Sequence, residues 1–391
     1  MARNARSRFG GPAATLVAIR VAFWLGAAAT VIWAPAPDRR LIGSAYGPAS
    51  DFLFRTFAQW DARWFLQIAE HGYEEVPQAA AFFPVYPAAA HALAWLTGST
   101  LVAGVLISLA AGAAAAWALA EIARPILGER GANDVVLYLA LYPVGFVFTA
   151  LYSDGLFLAL AAGSFLAATR GKSVTAGVLG GLATGTRLLG LALLPALVVL
   201  LWRGRDARSL ARLAPLALLP AAVGLYALYL NSTLGDPWAF TSAQADWNRE
   251  TSSLGPLGGL RDSLQAAGRG ARDLLNIPAA GPGHEERVAL WNVSHLALLV
   301  VAGRLTGVAW SRLGVAFGVY SVATLAIFLS VPAEGFPLVS LPRFLLGDFP
   351  LFLALASVTL DHPRARGPTL CAFAALGAVA AAAFARGIWV A

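Results

Sequence analysis

A succession of long apolar segments constrains the fold of this 391-residue chain more than any other feature of its sequence. Hydrophobic residues make up 58% of the chain and charged residues only 13%, whereas about a quarter of the residues in a soluble domain are charged. A helix of roughly 20 apolar residues crosses the hydrocarbon core of a bilayer. The chain is therefore predicted to be an all-α polytopic membrane protein, with apolar segments near 13–34, 82–97, 101–123, 134–151, 153–169, 174–187, 188–202, 213–231, 289–303, 313–331, 344–360 and 369–389.

The basic residues between these segments predict how the chain crosses the membrane. Residues 1–12 are basic and the apolar segment after them is too long for the core of a signal peptide, so we expect a cytoplasmic N-terminus followed by a transmembrane helix. Cytoplasmic loops are enriched in Lys and Arg, and the basic loops all fall on that side only if segment 82–97 does not cross. Segment 82–97, with Pro84 and Pro87 near its start, is therefore predicted to be a juxtamembrane or re-entrant helix, which leaves about 11 crossings. The loops that decide this contain Arg124 and Arg130, Arg170 and Lys172, Arg203 to Arg212, Arg304 and Arg312, and Arg364 and Arg366.

This threading predicts one transmembrane domain over residues 1–391 with two long external segments, 35–100 and 232–288. The short segments 174–187 and 188–202 are expected to form a broken pair near the external face. The small residues of GVLGGLATG at 177–185 predict close helix packing, with a phosphate-binding loop as the weaker alternative.

Several functional classes are disfavoured by composition. A single cysteine, Cys371, excludes an intramolecular disulfide framework and a cysteine-based zinc site, and the five histidines show no metal-binding spacing. We therefore expect no metal and no cofactor. The net charge of +7 is explained by the basic cytoplasmic loops, so nucleic-acid binding is not expected.

Four charged residues fall on the predicted external side. Asp61 lies in WDARWFLQIAEHGY, Asp154 at the turn of LYPVGFVFTALYSDGLF, Arg187 in TGTRLLG and Arg343 in LVSLPRFLLGDFP. Ionisable groups near apolar helices are costly and usually face a cavity or a partner. Together they suit a site in which arginine binds a phosphate and a carboxylate activates a hydroxyl.

Structural roles for the same residues remain open at this stage. Asp61 could be a solvated residue of the interface, and Asp154 could cap the helix that follows it. Arg187 and Arg343 could pair with the two acids for structural reasons alone.

Further candidate substrate-binding residues are polar or aromatic neighbours of these motifs. Trp60 and Tyr73 could equally belong to an interfacial aromatic belt, and His71 could make a local hydrogen bond. Gln244 and Trp247 lie in GDPWAFTSAQADW, where sugar stacking and ordinary packing are equally good interpretations.

These segments resemble the GPI mannosyltransferase II (PIG-V) family and its bacterial relatives. The resemblance rests on WDA…L.IA..GY, FFP.YP, P..F….YSD..F, TR..G, G.P.AF..AQ..W and S.PRF.L..FP, which occur in the family's order from Trp60 to Pro350. It implies a GT-C glycosyltransferase fold and a sugar donor carried on polyprenyl phosphate, used on the external face without a nucleotide sugar and usually without metal. An aspartate in the first external loop is then the expected catalytic base, which is Asp61 here. The family often has Glu at the position of Asp154.

The resemblance implies a mannosyltransferase in a bacterial plasma membrane that moves mannose from a polyprenyl-phosphate donor to a lipid or glycan acceptor, with inversion. Asp61 is the expected general base, and Arg343 or Arg187 is expected on the donor phosphate. Bacteria make no GPI anchor, so the acceptor stays open. The alternatives are another lipid-linked sugar such as glucose or arabinose, a lipid-linked sugar transporter or flippase, and a non-catalytic subunit. The inverted repeats typical of many transporters are not evident in the sequence.

Overall fold

The computed structural model describes residues 2–33, 58–202, 207–276 and 284–390, together with residues 56 and 204. Over these residues the chain is helical, and its one β feature is an isolated antiparallel bridge between Arg249 and Ala333. The predicted all-α class is therefore confirmed. The helices are α1 (Ala2–Trp33), α2 (Ala62–His71), α3 (Val85–Thr97), α4 (Thr100–Leu141), α5 (Asp154–Thr169), α6 (Ser173–Thr186), α7 (Leu193–Leu201), α8 (Ala207–Leu213), α9 (Leu218–Leu234), α10 (Ala239–Ser242), α11 (Pro256–Asp273), α12 (His284–Val308), α13 (Val315–Leu329), α14 (Leu341–Gly347), α15 (Pro350–Asp361) and α16 (Pro363–Ala385).

Within the described residues, five helices are long and apolar enough to cross a membrane, and the bent pair α14–α15 would make a sixth. These are Gly11–Trp33, Thr100–Leu141, Leu210–Leu234, Glu285–Leu313 and Pro363–Ala385. The chain is thus an integral membrane protein, but the predicted count of about 11 crossings is not confirmed, because several predicted segments form helices well short of roughly 20 residues. The shorter apolar helices are Asp154–Thr169, Leu188–Leu201 and Val315–Leu329.

The long helix α4 contains the predicted segment 101–123 and the first part of the segment predicted at 134–151. Gly128 interrupts it with φ 71°, a left-handed conformation that glycine adopts without strain. The segment predicted at 134–151 ends its helix at Leu141, and residues Gly145–Phe148 form a separate 3-10 turn. Pro143 lies two residues after Leu141, the end of the helix. A proline inside a helix removes one backbone hydrogen bond, which explains why the helix stops here.

The predicted first external segment, 35–100, lies partly outside the described residues. Its described part contains α2, a 3-10 turn at Pro77–Ala81 and α3. Helix α3 has only 13 residues and ends at the left-handed Gly98, a length that fits the predicted juxtamembrane helix. The predicted second external segment, 232–288, contains the 18-residue helix α11, which sequence patterning did not predict. Its small residues let it pack closely, since a Cβ on Gly259 would lie 1.9 Å from the carbonyl oxygen of Leu329.

The predicted break between 174–187 and 188–202 is confirmed. Helix α6 ends at Thr186, Arg187 is extended with φ −155° and ψ 136°, and a 3-10 turn over Leu188–Ala192 leads into α7. The break therefore places a charged side chain between two apolar helices, where a cavity can accommodate it.

The predicted close packing of GVLGGLATG is also confirmed. A Cβ on Gly177 would lie 2.2 Å from the carbonyl oxygen of Pro215, and one on Gly180 would lie 2.8 Å from the side chain of Leu219. Because the first obstacle is backbone, no side-chain rotation can relieve it. Close approach between α6 and the 3-10 helix Ala214–Ala217, which leads into α9, therefore requires glycine at 177.

Replacing Gly177 by alanine is expected to destabilise the protein by about 1–3 kcal/mol, since the added methyl forces these two helices apart. Gly224→Ala on α9 is the matched control, because a Cβ there meets no atom within 4 Å. Thermal unfolding in detergent measures the difference. Equal unfolding temperatures for the two variants would contradict the close-packing explanation.

Candidate active site

The four charged residues predicted to share a site lie together. Asp61, Asp154, Arg187 and Arg343 all line a cavity of about 850 Å³. They come from the start of α2, the start of α5, the α6–α7 break and α14. Residues separated by up to 282 positions thus meet at one end of the helical core.

Asp61 lies at the N-terminus of α2, and its carboxylate makes no capping hydrogen bond. Its backbone N–H donates to the hydroxyl of Tyr152 at 3.4 Å, and that hydroxyl donates to the carbonyl of Gln59 at 3.2 Å. The carboxylate is free of local backbone bonds and accepts from Nη1 of Arg343 at 2.5 Å. The structure therefore directs it towards the cavity and an arginine.

Asp154 is the first residue of α5 and is only 4% exposed. Its carboxylate pairs with Arg187 and also lies 3.7 Å from Nε of Arg343. The helix-cap alternative is not what the structure shows, because no side-chain cap bond forms at this terminus. Asp154 instead links the two arginines.

The four residues form a row of alternating charge: Asp61, Arg343, Asp154, Arg187. All four side chains are largely buried, with 18% or less of each exposed. Removing ion pairs from water costs several kcal/mol per ion, so a buried pair is weak evidence for a purely stabilising role. A buried charged row that borders a cavity is more typical of a functional site.

A fifth charged residue, Arg249, was not singled out from the sequence. Its guanidinium donates to the carbonyls of Val331 at 3.2 Å and Val339 at 2.8 Å, and it lines the same cavity. Burial lowers the pKa of Arg249 to about 10, and the nearby Arg343 acts in the same direction, so Arg249 keeps its charge at neutral pH. The one feature of the sequence that could have indicated a role for Arg249 is its position close to Trp247. Its two acceptor carbonyls lie more than 80 residues away along the chain, so no local pattern predicts these hydrogen bonds.

Aromatic rings separate the three arginines. Phe344 lies 5.1 Å from the guanidinium carbon of Arg187 and 5.7 Å from that of Arg249, whereas Arg343 lies 5.4 Å from the ring of Tyr152. Cations are attracted to aromatic faces at these distances. The rings therefore allow like charges to share one cavity.

Unusual backbone conformations adjoin the charged residues. Within the described residues, Trp60, Asn248 and Ser340 are the non-glycine residues with positive φ, at 58°, 51° and 64°. They stand one residue before Asp61, one before Arg249 and three before Arg343. Such conformations cost about 1–3 kcal/mol each and cluster at functional sites.

An aromatic wall completes the cavity. The rings of Trp64, Phe82 and Trp247 pack against one another with centroids 5.6–6.0 Å apart. Trp60, Gln244 and Trp247, all predicted substrate-binding residues, line the cavity. The structure thus brings residues of the segment 232–288 against residues of the segment 35–100.

Two predicted residues are not brought to this cavity. Tyr73 is 2% exposed and donates its hydroxyl to the carbonyl of Phe82 at 2.8 Å. Burial raises the pKa of Tyr73 well above its usual value, so the hydroxyl stays protonated. His71 is exposed at the end of α2 and lines neither this cavity nor the groove beside it.

Beside the charged cavity lies an apolar groove of about 950 Å³. It runs between α3, α6 and α9, and its surface is mostly hydrocarbon. The two linings adjoin along the chain at Phe83–Pro84 and at Gly185–Thr186. A ligand with a charged head and an apolar chain could occupy both.

No group of three His, Cys, Asp or Glu residues capable of holding a metal ion is found within the described part of the chain.

The architecture is that of the GT-C fold. Over 95% of its length the chain is similar to the ArnT structure from Cupriavidus metallidurans bound to undecaprenyl phosphate, with a TM-score of 0.52, 17% sequence identity and 64% of that protein covered. It is also similar to an Archaeoglobus fulgidus oligosaccharyltransferase, with 14% identity, 93% of this chain and 53% of the other covered, and a TM-score of 0.42. At that score the second similarity adds nothing to the fold assignment. The predicted GT-C fold is confirmed.

Sequence comparisons show which family part of the chain is similar to. Residues 44–216 match the family described as Mannosyltransferase (PIG-V). The GPI alpha-1,6-mannosyltransferase 2 of Cricetulus griseus is 34% identical over 155 residues, which are 36% of this chain and 30% of that protein. The chain thus matches less than a third of this relative's length. The predicted resemblance to the PIG-V family is confirmed, and it covers both predicted carboxylates.

Proposed function

We propose that this protein is a mannosyltransferase that moves mannose from a polyprenyl-phosphate donor to a lipid or glycan acceptor on the external face of a bacterial plasma membrane. The observation that carries the proposal is a largely buried carboxylate, Asp61, which faces a cavity that has an excess of arginine and adjoins an apolar groove. The PIG-V match supports the choice of mannose. The similarity to ArnT supports a polyprenyl-phosphate carrier, because that structure contains bound undecaprenyl phosphate.

Asp61 acts as general base in this proposal. It takes the proton of an acceptor hydroxyl while that oxygen forms a bond to the anomeric carbon. The bond from the anomeric carbon to the donor phosphate breaks, and the phosphate leaves with the electron pair. One displacement inverts the anomeric centre, so a β-linked donor yields an α-mannoside. A strong acid for the leaving group is unnecessary, unlike in a glycosidase with two carboxylates.

The leaving phosphate needs positive charge where its own negative charge increases. Arg343 and Arg187 supply it, since guanidinium groups make strong charge-assisted hydrogen bonds to phosphate. Both side chains border the cavity beside Asp61 and Asp154. Trp60, Gln244 and Trp247 line the same cavity and contact the sugar or the acceptor in this proposal.

The isoprenoid chain of the donor occupies the apolar groove in this proposal. The groove lies between helices and adjoins the charged cavity, so a chain there would present its phosphate to the arginines. Every methylene transferred from water to such a surface contributes about 0.8 kcal/mol. Chain length should therefore govern donor affinity.

Filling the groove with Ala222→Trp is expected to raise the KM for long-chain donors by about 30-fold, which corresponds to about 2 kcal/mol of lost apolar contact. The KM for a ten-carbon donor, which reaches little of the groove, should change far less. Ala211→Trp on α8 is the control, because Ala211 is exposed and lines neither cavity. An equal effect on both donor lengths would exclude the groove as the chain site.

The proposed activity is tested with purified protein in vesicles containing a synthetic polyprenyl-phosphate mannose and bacterial lipids. A new mannolipid, identified by mass and linkage analysis, is the expected product. Donors carrying glucose or arabinose are tested in parallel and should transfer poorly. Movement of the intact donor across the bilayer without any transfer would instead support the flippase alternative.

A further inference from the structure

Among the residues that the structure describes, the charges that line the cavity do not balance in the absence of substrate. Three arginines, Arg187, Arg249 and Arg343, border it with two buried carboxylates. The exposed Arg63 and Glu250 at its rim carry opposite charges and cancel. The buried part thus carries one excess positive charge.

The excess charge resides on Arg249. Arg187 pairs with Asp154, and Arg343 pairs with Asp61 and approaches Asp154. Within the described residues, no carboxylate oxygen lies within 4.0 Å of the Arg249 guanidinium. Its two acceptors are backbone carbonyls, which orient the guanidinium but carry no formal charge.

A buried cation without a counter-ion is costly unless a ligand supplies the negative charge. The phosphodiester of a polyprenyl-phosphate sugar carries one negative charge. We propose that Arg249 is the resident anchor for the donor's phosphodiester, whereas Arg343 is held by Asp61 until the reaction begins. This inference rests on the proposed function and assigns separate roles to the arginines of the site.

The charge of the site then stays constant through the reaction. With donor bound, Asp61 and the phosphodiester are each negative. After transfer, Asp61 holds the acceptor's proton and is neutral, while the polyprenyl monophosphate carries up to two negative charges. The ion pair of Arg343 is lost as Asp61 is protonated, so Arg343 becomes available for the charge that appears on phosphate. Arg249 thus contributes to donor binding, and Arg343 contributes to the transition state.

A binding measurement tests the role of Arg249 without any sugar transfer. The probe is farnesyl methyl phosphate, a phosphodiester with one negative charge, and farnesol is the neutral reference. Arg249→Gln should weaken probe binding by about 10- to 100-fold, as expected for hydrogen bonds to a charged group, and leave farnesol binding unchanged. In transfer assays the same variant should raise the donor KM more than it lowers kcat, and Arg343→Gln should do the reverse.

Arg269→Gln is the matched control, because Arg269 is exposed on α11 and lines neither cavity. Unchanged probe affinity in folded Arg249→Gln would overturn the proposal. If Arg249→Gln does not fold, Arg249→Lys is tested instead. Lysine keeps the positive charge but lacks the forked guanidinium that donates to both backbone carbonyls. A loss of probe affinity of about threefold or more, with farnesol unaffected, supports the proposal, and no loss overturns it. Wild-type protein that binds the probe but transfers no sugar would refute the proposed function while leaving the phosphate site intact.

Discussion

Asp61→Asn is expected to lower sugar transfer by about 10²- to 10⁴-fold, the usual contribution of a general base. Asparagine has nearly the same shape but cannot accept the proton of the acceptor hydroxyl. The fold should be retained, because Arg343 keeps the carboxylate of Asp154 nearby at 3.7 Å. Transfer from polyprenyl-phosphate mannose in vesicles measures the loss of activity. Binding of farnesyl methyl phosphate measures whether the folded site is retained.

Asp246→Asn is the control for this variant. Asp246 is an exposed carboxylate in the turn beside Trp247, but it does not line the cavity. Its replacement should leave the transfer rate within about twofold of wild type, because surface substitutions change free energies by only about 0.5 kcal/mol. Near-normal transfer by Asp61→Asn would reject Asp61 as the base and require another group in that role.

Asp154→Asn is expected to destabilise the protein by about 3–5 kcal/mol, because it leaves a buried arginine without its carboxylate. The loss affects two partners at once, since Asp154 pairs with Arg187 and approaches Arg343. Chemical or thermal unfolding in detergent measures the effect. The double variant Asp154→Asn, Arg187→Gln should recover part of the stability and none of the transfer activity.

Asp361→Asn provides a comparison with the same chemistry at the surface. Asp361 pairs with Arg312, but the two side chains are 55% and 45% exposed. Exposed ion pairs contribute about 0–1 kcal/mol, since water solvates the separated charges. If Asp154→Asn and Asp361→Asn lowered the free energy of unfolding equally, the pair of Asp154 and Arg187 would contribute no more to stability than an exposed ion pair.

Four charged residues meet in one cavity rather than along a path through the membrane, which favours an enzyme over a flippase. Asp61, Asp154, Arg187 and Arg343 meet within a few ångströms, and the adjoining space is an apolar groove. A transporter for a charged lipid head group needs polar groups that accompany it across the bilayer.

The local sequence determined the parts of this protein that depend on near neighbours. Apolar composition identified a helical membrane protein, and the break at Arg187 followed from an arginine between two short apolar segments. The small-residue run predicted close packing because glycine permits it wherever a backbone approaches. Ordered motifs also identified Asp61, Asp154, Arg187 and Arg343 as residues of one site.

Only the tertiary structure decided how these charges are paired and which other residues join them in the cavity. No local pattern shows that Arg343 pairs with Asp61 across 282 positions, or that Val331 and Val339 orient Arg249. Tyr73 and His71 belong to a motif of the site, yet neither lines the charged cavity. His71 is exposed at the end of α2, and Tyr73, beyond that helix, donates to the carbonyl of Phe82 and lines the apolar groove. Sequence thus determined which chemical groups are present and which helices carry them. Long-range packing decided which of them meet, because ion pairing depends on distances that only the folded chain defines.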